Sequence, residues 1–171
     1  MSHEMEHGPA RRGRQIKSVI GLALMLAICA CGKSSQDHLA DARKDLAGSA
    51  YADAIASADA GLEGAPDAVT SWGLELVKLE ALARSGQGEA TRAQLEKLAA
   101  ENPDRVSAAD YSGTAQLLRA AGQKSEAIQV LDMGSKRFPD DPVISQMIAE
   151  SVEKGVDPAE LEMLKSLGYI D

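Results

Sequence analysis

Aromatic residues, cysteine and histidine are all scarce in this chain of 171 residues. Only 3% of the residues are aromatic, and the only cysteines are Cys29 and Cys31. Two cysteines with one residue between them exclude a disulfide framework, because that spacing strains the ring that a bond would close. His38 is the only histidine beyond the first seven residues, so a histidine base beside a nucleophile and a cluster of metal ligands are both missing. We therefore predict no enzyme activity, no catalytic residue, no metal site and no cofactor.

Basic stretches with interleaved aromatic residues are missing too. The chain has 18 Lys and Arg residues against 26 Asp and Glu residues, a net charge of −8. Without its first 30 residues, which hold four basic and two acidic ones, it keeps 14 basic and 24 acidic residues and a net charge of −10. A body this acidic repels nucleic-acid phosphates and anionic lipid surfaces. We predict no nucleic-acid partner, and no motif indicates a small-molecule substrate.

Regular alternation of apolar and polar residues, the signature of half-buried strands, does not extend over a useful length. Hydrophobic residues nevertheless make up 44% of the chain, enough for a core built from Leu, Ala, Ile, Val and Met. Abundant alanine favours helix, since alanine loses no side-chain entropy on becoming helical. The composition therefore predicts an all-α protein.

The N-terminal leader lacks an apolar run long enough to span a bilayer comfortably. Basic residues lie in 11–17, and an apolar stretch follows in 18–28. The chain then continues with a small residue before a cysteine, Ala30-Cys31, which suits the shallow pocket of a signal peptidase. The pattern predicts a secretory signal peptide, and the alternative is an uncleaved signal anchor with two buried thiols.

The segment Ile28-Cys29-Ala30-Cys31 resembles the lipobox of bacterial lipoproteins, with Ile28 in place of the usual Leu. The resemblance implies that residues 1–30 are cleaved and that Cys31 carries lipid, such as palmitate, as the new N-terminus. Residues 31–36 would then form the lipidated cysteine and its tether. Gly32, rather than Asp, after that cysteine implies an outer-membrane anchor with the body facing the periplasm, the inner membrane being less favoured.

Glycine and proline recur in the body of the chain at nearly fixed spacing. Gly86 precedes Pro103 by 17 residues, and Gly122 precedes Pro139 by 17. Pro66 extends the series, and the three prolines are 37 and 36 residues apart. A period of this size indicates stacked helical hairpins, each ended by a proline, and a helical bundle with accidental spacing is the alternative.

The repeat is similar to the tetratricopeptide repeat (TPR), whose second helix has a characteristic order of glycine, small, apolar and proline positions. These positions are occupied by Gly122, Ala127, Leu131, Gly134 and Pro139, and those of the first helix by Tyr111 and Ala115. Thr91 and Leu98 depart from the pattern in the middle copy, where the family has small residues. The resemblance covers 37–156 and implies a short α-solenoid of three to four helix-turn-helix hairpins.

The last segment, 157–171, is predicted to form a C-terminal capping helix. Asp157 suits the N-cap, Pro158 the first helical position, and Gly168 a left-handed turn that returns Tyr169 or Ile170 to the helix. The helix before it, at about 141–153, and the capping helix each carry an apolar stripe. These two stripes are Val143, Ile144, Met147, Ile148 and Val152, and then Leu161, Leu164 and Leu167.

The first helices of the hairpins are expected to line a groove that binds a protein. The residues that we place off the buried stripe there are Lys44, Glu80, Arg84, Ser112, Gln116 and Arg119. Trp72, the only tryptophan, is either an anchor for a partner or a half-buried residue at a helix start. The function predicted is a lipid-anchored scaffold for a protein of the bacterial envelope. The alternative is a non-catalytic accessory subunit of an envelope hydrolase or an exopolysaccharide export system.

Overall fold

A computed structural model describes residues 32–153 and 158–171, so the predicted signal peptide, Cys31 and Asp157 lie outside the described residues. The described residues form helices and no strand, which confirms the predicted all-α class. The helices are α1 (Ser35–Ala47), α2 (Tyr51–Glu63), α3 (Ala68–Arg84), α4 (Gly88–Glu101), α5 (Ala108–Ala120), α6 (Lys124–Arg137), α7 (Pro142–Glu153) and α8 (Pro158–Ser166).

The helices stack in two rows. Each odd-numbered helix packs on the next odd-numbered one, from α1 through α3 and α5 to α7. In the second row α4 packs on α6 and α6 packs on α8, while α1 with α2, α3 with α4 and α5 with α6 form close pairs. This is the neighbour-to-neighbour packing of an α-solenoid, and α8 takes the second-row place beside α6.

Polar residues at the helix starts explain where three first-row helices begin. Ser34 and Asp37 form a capping box at the start of α1, and Ser107 and Asp110 form another at the start of α5. At α3, the carboxylate of Asp67 accepts hydrogen bonds from two backbone N–H groups of the first turn. Because Ser34 caps α1, the helix takes up the last two residues of the segment predicted as a tether.

The turns inside the hairpins share one left-handed position. Gly86 and Gly122 adopt φ values of 74° and 80°, a conformation that glycine accepts without steric cost. Ser49 occupies the equivalent place between α1 and α2 with a φ of 61°. Gly168 also adopts the predicted left-handed conformation after α8, with a φ of 81°.

Two glycines of the second row allow close contact with the first row. A Cβ atom on Gly134 would lie 2.9 Å from both Tyr111 Cβ and Ile144 Cδ1. A Cβ atom on Gly61 would lie 2.9 Å from the Cβ of His38 and from a methyl group of Leu74. The small residue is therefore required by packing, which offsets its poor helix propensity.

The core is aliphatic and falls into two clusters. The smaller one joins α1, α2 and α3 around Leu74, and the larger one runs from α3 to α7. Thr91 is fully buried in α4, where its hydroxyl donates to the carbonyl of Gln87 at 2.8 Å. That bond explains how a polar residue replaces alanine in the middle copy.

The apolar stripes of the last two helices are narrower than predicted. Ile144, Met147, Ile148 and Leu164 are buried, but Val143 is 49% exposed, Val152 36% and Leu161 38%. Val143 and Val152 were wrongly placed in the buried stripe of α7, whereas Leu161 was predicted only on the apolar face of α8. The end of the array has fewer neighbours, so part of each apolar face stays in contact with water.

The C-terminal residues fold back as predicted. The amide of Tyr169 donates to the carbonyl of Leu164 at 3.0 Å, and its hydroxyl donates to Asp132 Oδ1 at 3.2 Å. The same hydroxyl lies 3.0 Å from the hydroxyl of Ser135 on α6. The chain after α8 is thereby fastened to α6.

Candidate protein-binding surface

The exposed side of the first-row helices is the candidate surface, and four of the six predicted residues lie on it at least partly exposed. Lys44 is exposed on α1, Glu80 and Arg84 lie on α3, and Gln116 is exposed on α5. We call the exposed side of α1, α3 and α5 that these four residues mark the first-row face.

Arg84 is the best defined of these residues. Its Nε donates to Glu80 Oε1 at 2.7 Å across one helical turn, and both side chains remain about 40% exposed, at 44% and 39%. The hydrogen bond and the charge of Glu80 raise the pKa of Arg84 above its usual value, with a smaller contribution from Tyr51. Arg84 is therefore a fixed positive charge at the end of α3.

A cavity of about 180 Å³ lies beside Arg84. Its walls are formed by Tyr51 at the start of α2, by Arg84, and by Leu117, Ala120 and Ala121 at the end of α5. Three helices thus meet around one guanidinium group, one phenol ring and short apolar side chains. This combination accepts a side chain that has both apolar surface and a hydrogen-bonding group.

Ser112 is wrongly predicted as part of the surface. Its side chain is only 7% exposed, and its hydroxyl donates to the carbonyl of Ala109 at 3.3 Å. The 3.6-residue period places position 112 next to buried Tyr111 and Ala115 on the face that α5 turns to its neighbours.

Arg119, the last of the six predicted residues, is only partly exposed on α5. One terminal nitrogen donates to the carbonyl of Met147 at 3.2 Å and also to the hydroxyl of Ser151. Its Nε is buried and makes no hydrogen bond. The side chain therefore joins α5 to α7, and its role in binding a partner stays a prediction.

Sequence reasoning missed the apolar part of the site, namely Tyr51, Leu117, Ala120 and Ala121. The predicted residues are all polar positions on first helices, whereas Tyr51 opens a second helix. A tyrosine directly after a hairpin turn was the available signal, since tyrosine is enriched at binding surfaces.

The described ranges 32–153 and 158–171 contain no candidate metal-binding cluster. These residues include no group of three or more His, Cys, Asp or Glu side chains that is able to hold a metal ion. His38 lies in the first turn of α1, against Gly61 of α2. Nor does any described helix have both the length and the apolar character needed to cross a membrane.

Comparison with known proteins identifies the repeats. A family model for the tetratricopeptide repeat matches residues 82–150, from the end of α3 into α7. No curated protein and no solved structure shows significant similarity to the chain. The matched range includes all of α4, α5 and α6, and within it both α4 and α5 pack on α6. Residues 82–150 are therefore a tetratricopeptide repeat domain, the kind of domain that typically serves as a non-catalytic scaffold for other proteins.

Proposed function

We propose that the protein is an exported, lipid-anchored scaffold that binds a protein partner in the bacterial envelope through its first-row face. The observation that carries the binding role is the cavity around Arg84, where Tyr51 and Leu117 flank a half-exposed guanidinium group. Arginine and tyrosine are enriched among residues that dominate binding energy. The sequence of the leader supports the export and the anchor.

The composition of this surface favours a polypeptide over a small ligand. The cavity opens to solvent, and small side chains at Ala120 and Ala121 allow a backbone to approach. Lys44 and Gln116 add exposed polar groups on α1 and α5, the two first-row helices that pack on α3. Contacts spread over three helices suit an extended partner surface better than a compact metabolite.

Site-specific photo-crosslinking in intact cells tests the binding role. A photo-reactive amino acid at Gln116 is expected to give one dominant adduct, which mass spectrometry identifies. The same amino acid at Glu89, exposed on second-row α4, is the matched position and should give no such adduct. Equal adducts from both positions would show that the first-row face has no special role.

Charge reversal separates the contribution of Arg84 from general electrostatics. Arg84→Glu is expected to lower the crosslinking yield from Gln116 by about tenfold, the size of a lost charged hydrogen bond at an interface. Arg92→Glu is the control, because Arg92 forms the same kind of ion pair with Glu96, at 2.9 Å, on the second row. If both variants reduce the yield equally, the partner responds to net charge and not to the Arg84 cavity.

The two leader cysteines provide an internal control for lipidation. Cys31→Ser is expected to abolish incorporation of a palmitate analogue and to leave the leader uncleaved, as judged by intact mass. Cys29→Ser should keep both the label and the cleavage, since the predicted cleavage precedes Cys31. Incorporation of the palmitate analogue into the Cys31→Ser protein would contradict a lipid anchor at Cys31.

The membrane that receives the anchor depends on Gly32 in this proposal. Separated inner and outer membranes are expected to show the wild-type protein in the outer one. Gly32→Asp should move it to the inner membrane, whereas Gly32→Ser should not. A wild-type protein that fractionates with the inner membrane contradicts the outer-membrane assignment but leaves lipidation intact.

A further inference from the structure

A second concave site lies away from the Arg84 cavity, between the start of α3 and the connection from α4 to α5. It has a volume of about 240 Å³. We call it the Trp72 pocket, and its lining residues are Ala68, Ser71, Trp72, Glu75, Glu101, Asn102 and Arg105. The only tryptophan of the chain is therefore neither free in solvent nor fully enclosed, and it packs partly against the larger core cluster.

One face of the tryptophan ring is already covered by a cation. The guanidinium carbon of Arg105 lies 4.3 Å from the centroid of the Trp72 ring, and Nη1 donates to the carbonyl of Ala68 at 3.2 Å. The connection after α4 is thereby held against α3, so the pocket has a fixed wall. Arg105 itself is an exposed side chain at the rim.

An exposed apolar residue lies one helical turn from Trp72 on α3. Val69 follows directly after Ala68 and is 76% exposed, the highest value among the large exposed hydrophobic residues of the described chain. Together with the half-buried Trp72, it gives this end of α3 an apolar surface next to a concave site. Such adjacent apolar area is typical of the centre of a protein contact.

Negative charge surrounds this apolar surface. Glu101 and Asp104 are exposed, and neither forms a salt bridge within the described part of the chain. Glu75 faces the pocket too, but Lys97, at 2.7 Å, and Gln94 already bond its carboxylate. Arg105 is the single cation among the lining residues and keeps its charge while it stacks on Trp72, whereas Glu75 and Glu101 supply two carboxylates. Lys97 also acts electrostatically on Glu101, and Asp104 is exposed in the same connection, so the carboxylates around the pocket outnumber the cations.

We propose that the Trp72 pocket docks a basic segment of a protein. A lysine or arginine of that segment pairs with Glu101 or Asp104, and a neighbouring apolar side chain covers Val69 and the open edge of Trp72. Charge complementarity favours a basic segment, because the carboxylates of Glu101 and Asp104 repel an acidic one. This site goes beyond the Arg84 cavity and remains testable if the first-row face binds nothing.

The tryptophan supplies its own readout, because Trp72 is the only tryptophan in the chain. The purified full chain is titrated with a short blocked peptide of alternating leucine and arginine, and the emission of Trp72 is recorded. We expect a saturable change in emission that weakens as salt is added. Matched peptides with glutamate or glutamine in place of arginine should give no saturable change. No saturation with the arginine peptide, or equal binding of the other peptides, would overturn the proposal.

Variants then localise the binding. Glu101→Gln combined with Asp104→Asn is expected to raise the Kd for the arginine peptide about three- to tenfold, the usual worth of two exposed ion pairs. Glu89→Gln combined with Glu162→Gln removes the same charge from exposed sites on α4 and α8 and should leave the Kd unchanged. An equal loss in both double variants would mean that net charge, and not this pocket, attracts the peptide.

Val69→Ser tests the apolar part of the same contact. Because Val69 is largely exposed, this variant keeps the fold, and circular dichroism checks that it does. Its Kd for the arginine peptide should rise about threefold or more through the loss of buried methyl groups. Binding that is unaffected by Val69→Ser and by loss of both carboxylates would place the peptide elsewhere on the molecule.

Discussion

Single glycines decide how closely the two rows of helices approach. Gly134 sits where any Cβ atom would touch Tyr111 and Ile144, both buried and both on helices of the first row. Gly113, by contrast, lies inside α5 with no atom within 4 Å of the place of its Cβ. As glycines inside helices, both residues carry the same cost in backbone entropy. Only Gly134 lies in close contact with neighbouring helices.

We predict opposite effects of alanine at these two positions. Gly134→Ala should lower the free energy of unfolding by about 1–3 kcal/mol, because overpacking forces the rows apart. Gly113→Ala should raise it by about 0.5–1 kcal/mol, because alanine is the better helix former in open space. Urea denaturation measures both, and a stabilised Gly134→Ala protein would contradict the close contact.

At the scale of the element, the turn between the two helices of a hairpin occurs three times, and one copy has a different residue at the left-handed position. Gly86 and Gly122 use glycine for the left-handed position, whereas Ser49 holds the same position at a φ of 61°. Ser49 is exposed, and its side chain makes no hydrogen bond within the described residues. The first hairpin therefore bears a steric cost that the other two avoid.

Exchanging these turn residues tests that account. Ser49→Gly should raise the free energy of unfolding by about 0.5–1 kcal/mol, since glycine removes the Cβ conflict at positive φ. Gly122→Ser should lower it by a similar amount, and the open space around Gly122 ensures that only backbone conformation changes. Thermal unfolding followed by circular dichroism gives the measurement, and equal responses of the two variants would contradict a shared turn geometry.

At the scale of the whole molecule, the division of the core into two clusters implies uneven stability. Leu74 centres the smaller cluster of α1, α2 and α3, and Leu118 of α5 belongs to the larger one. Both side chains are fully buried. In a stacked array each hairpin contacts only its neighbours. The loss of a buried side chain is therefore expected to destabilise its own hairpin and the adjacent ones first.

Hydrogen exchange resolved by segment is the measurement for this prediction. Leu74→Ala should cost about 2–5 kcal/mol and reduce amide protection in α1 and α2 more than in α6. Leu118→Ala, at a similar cost, should reduce protection in α5, α6 and α7 first. Uniform loss of protection across the chain in both variants would show one cooperative core instead.

The sequence by itself determined the all-α class, the hairpin period and the left-handed turn at Gly168. These depend on local physics: alanine content, proline as a helix stop, and glycine at positive φ. The start of the first helix was predicted at 37, two residues after its start at Ser35, although Ser34 carries the capping oxygen in the local sequence.

Only the tertiary structure decided which side chains are free to meet a partner. Ser112 and Arg119 looked like surface residues from their polarity, yet neighbouring helices bury the one and bond the other. Val143 was predicted to lie in the buried stripe of its helix, yet it stays exposed near the helix start. The exposure of a side chain depends on the orientation and the length of the neighbouring helices. Both are set by contacts between residues that are distant in the sequence. The local pattern sets each helix, and the stacking of helices selects the surface.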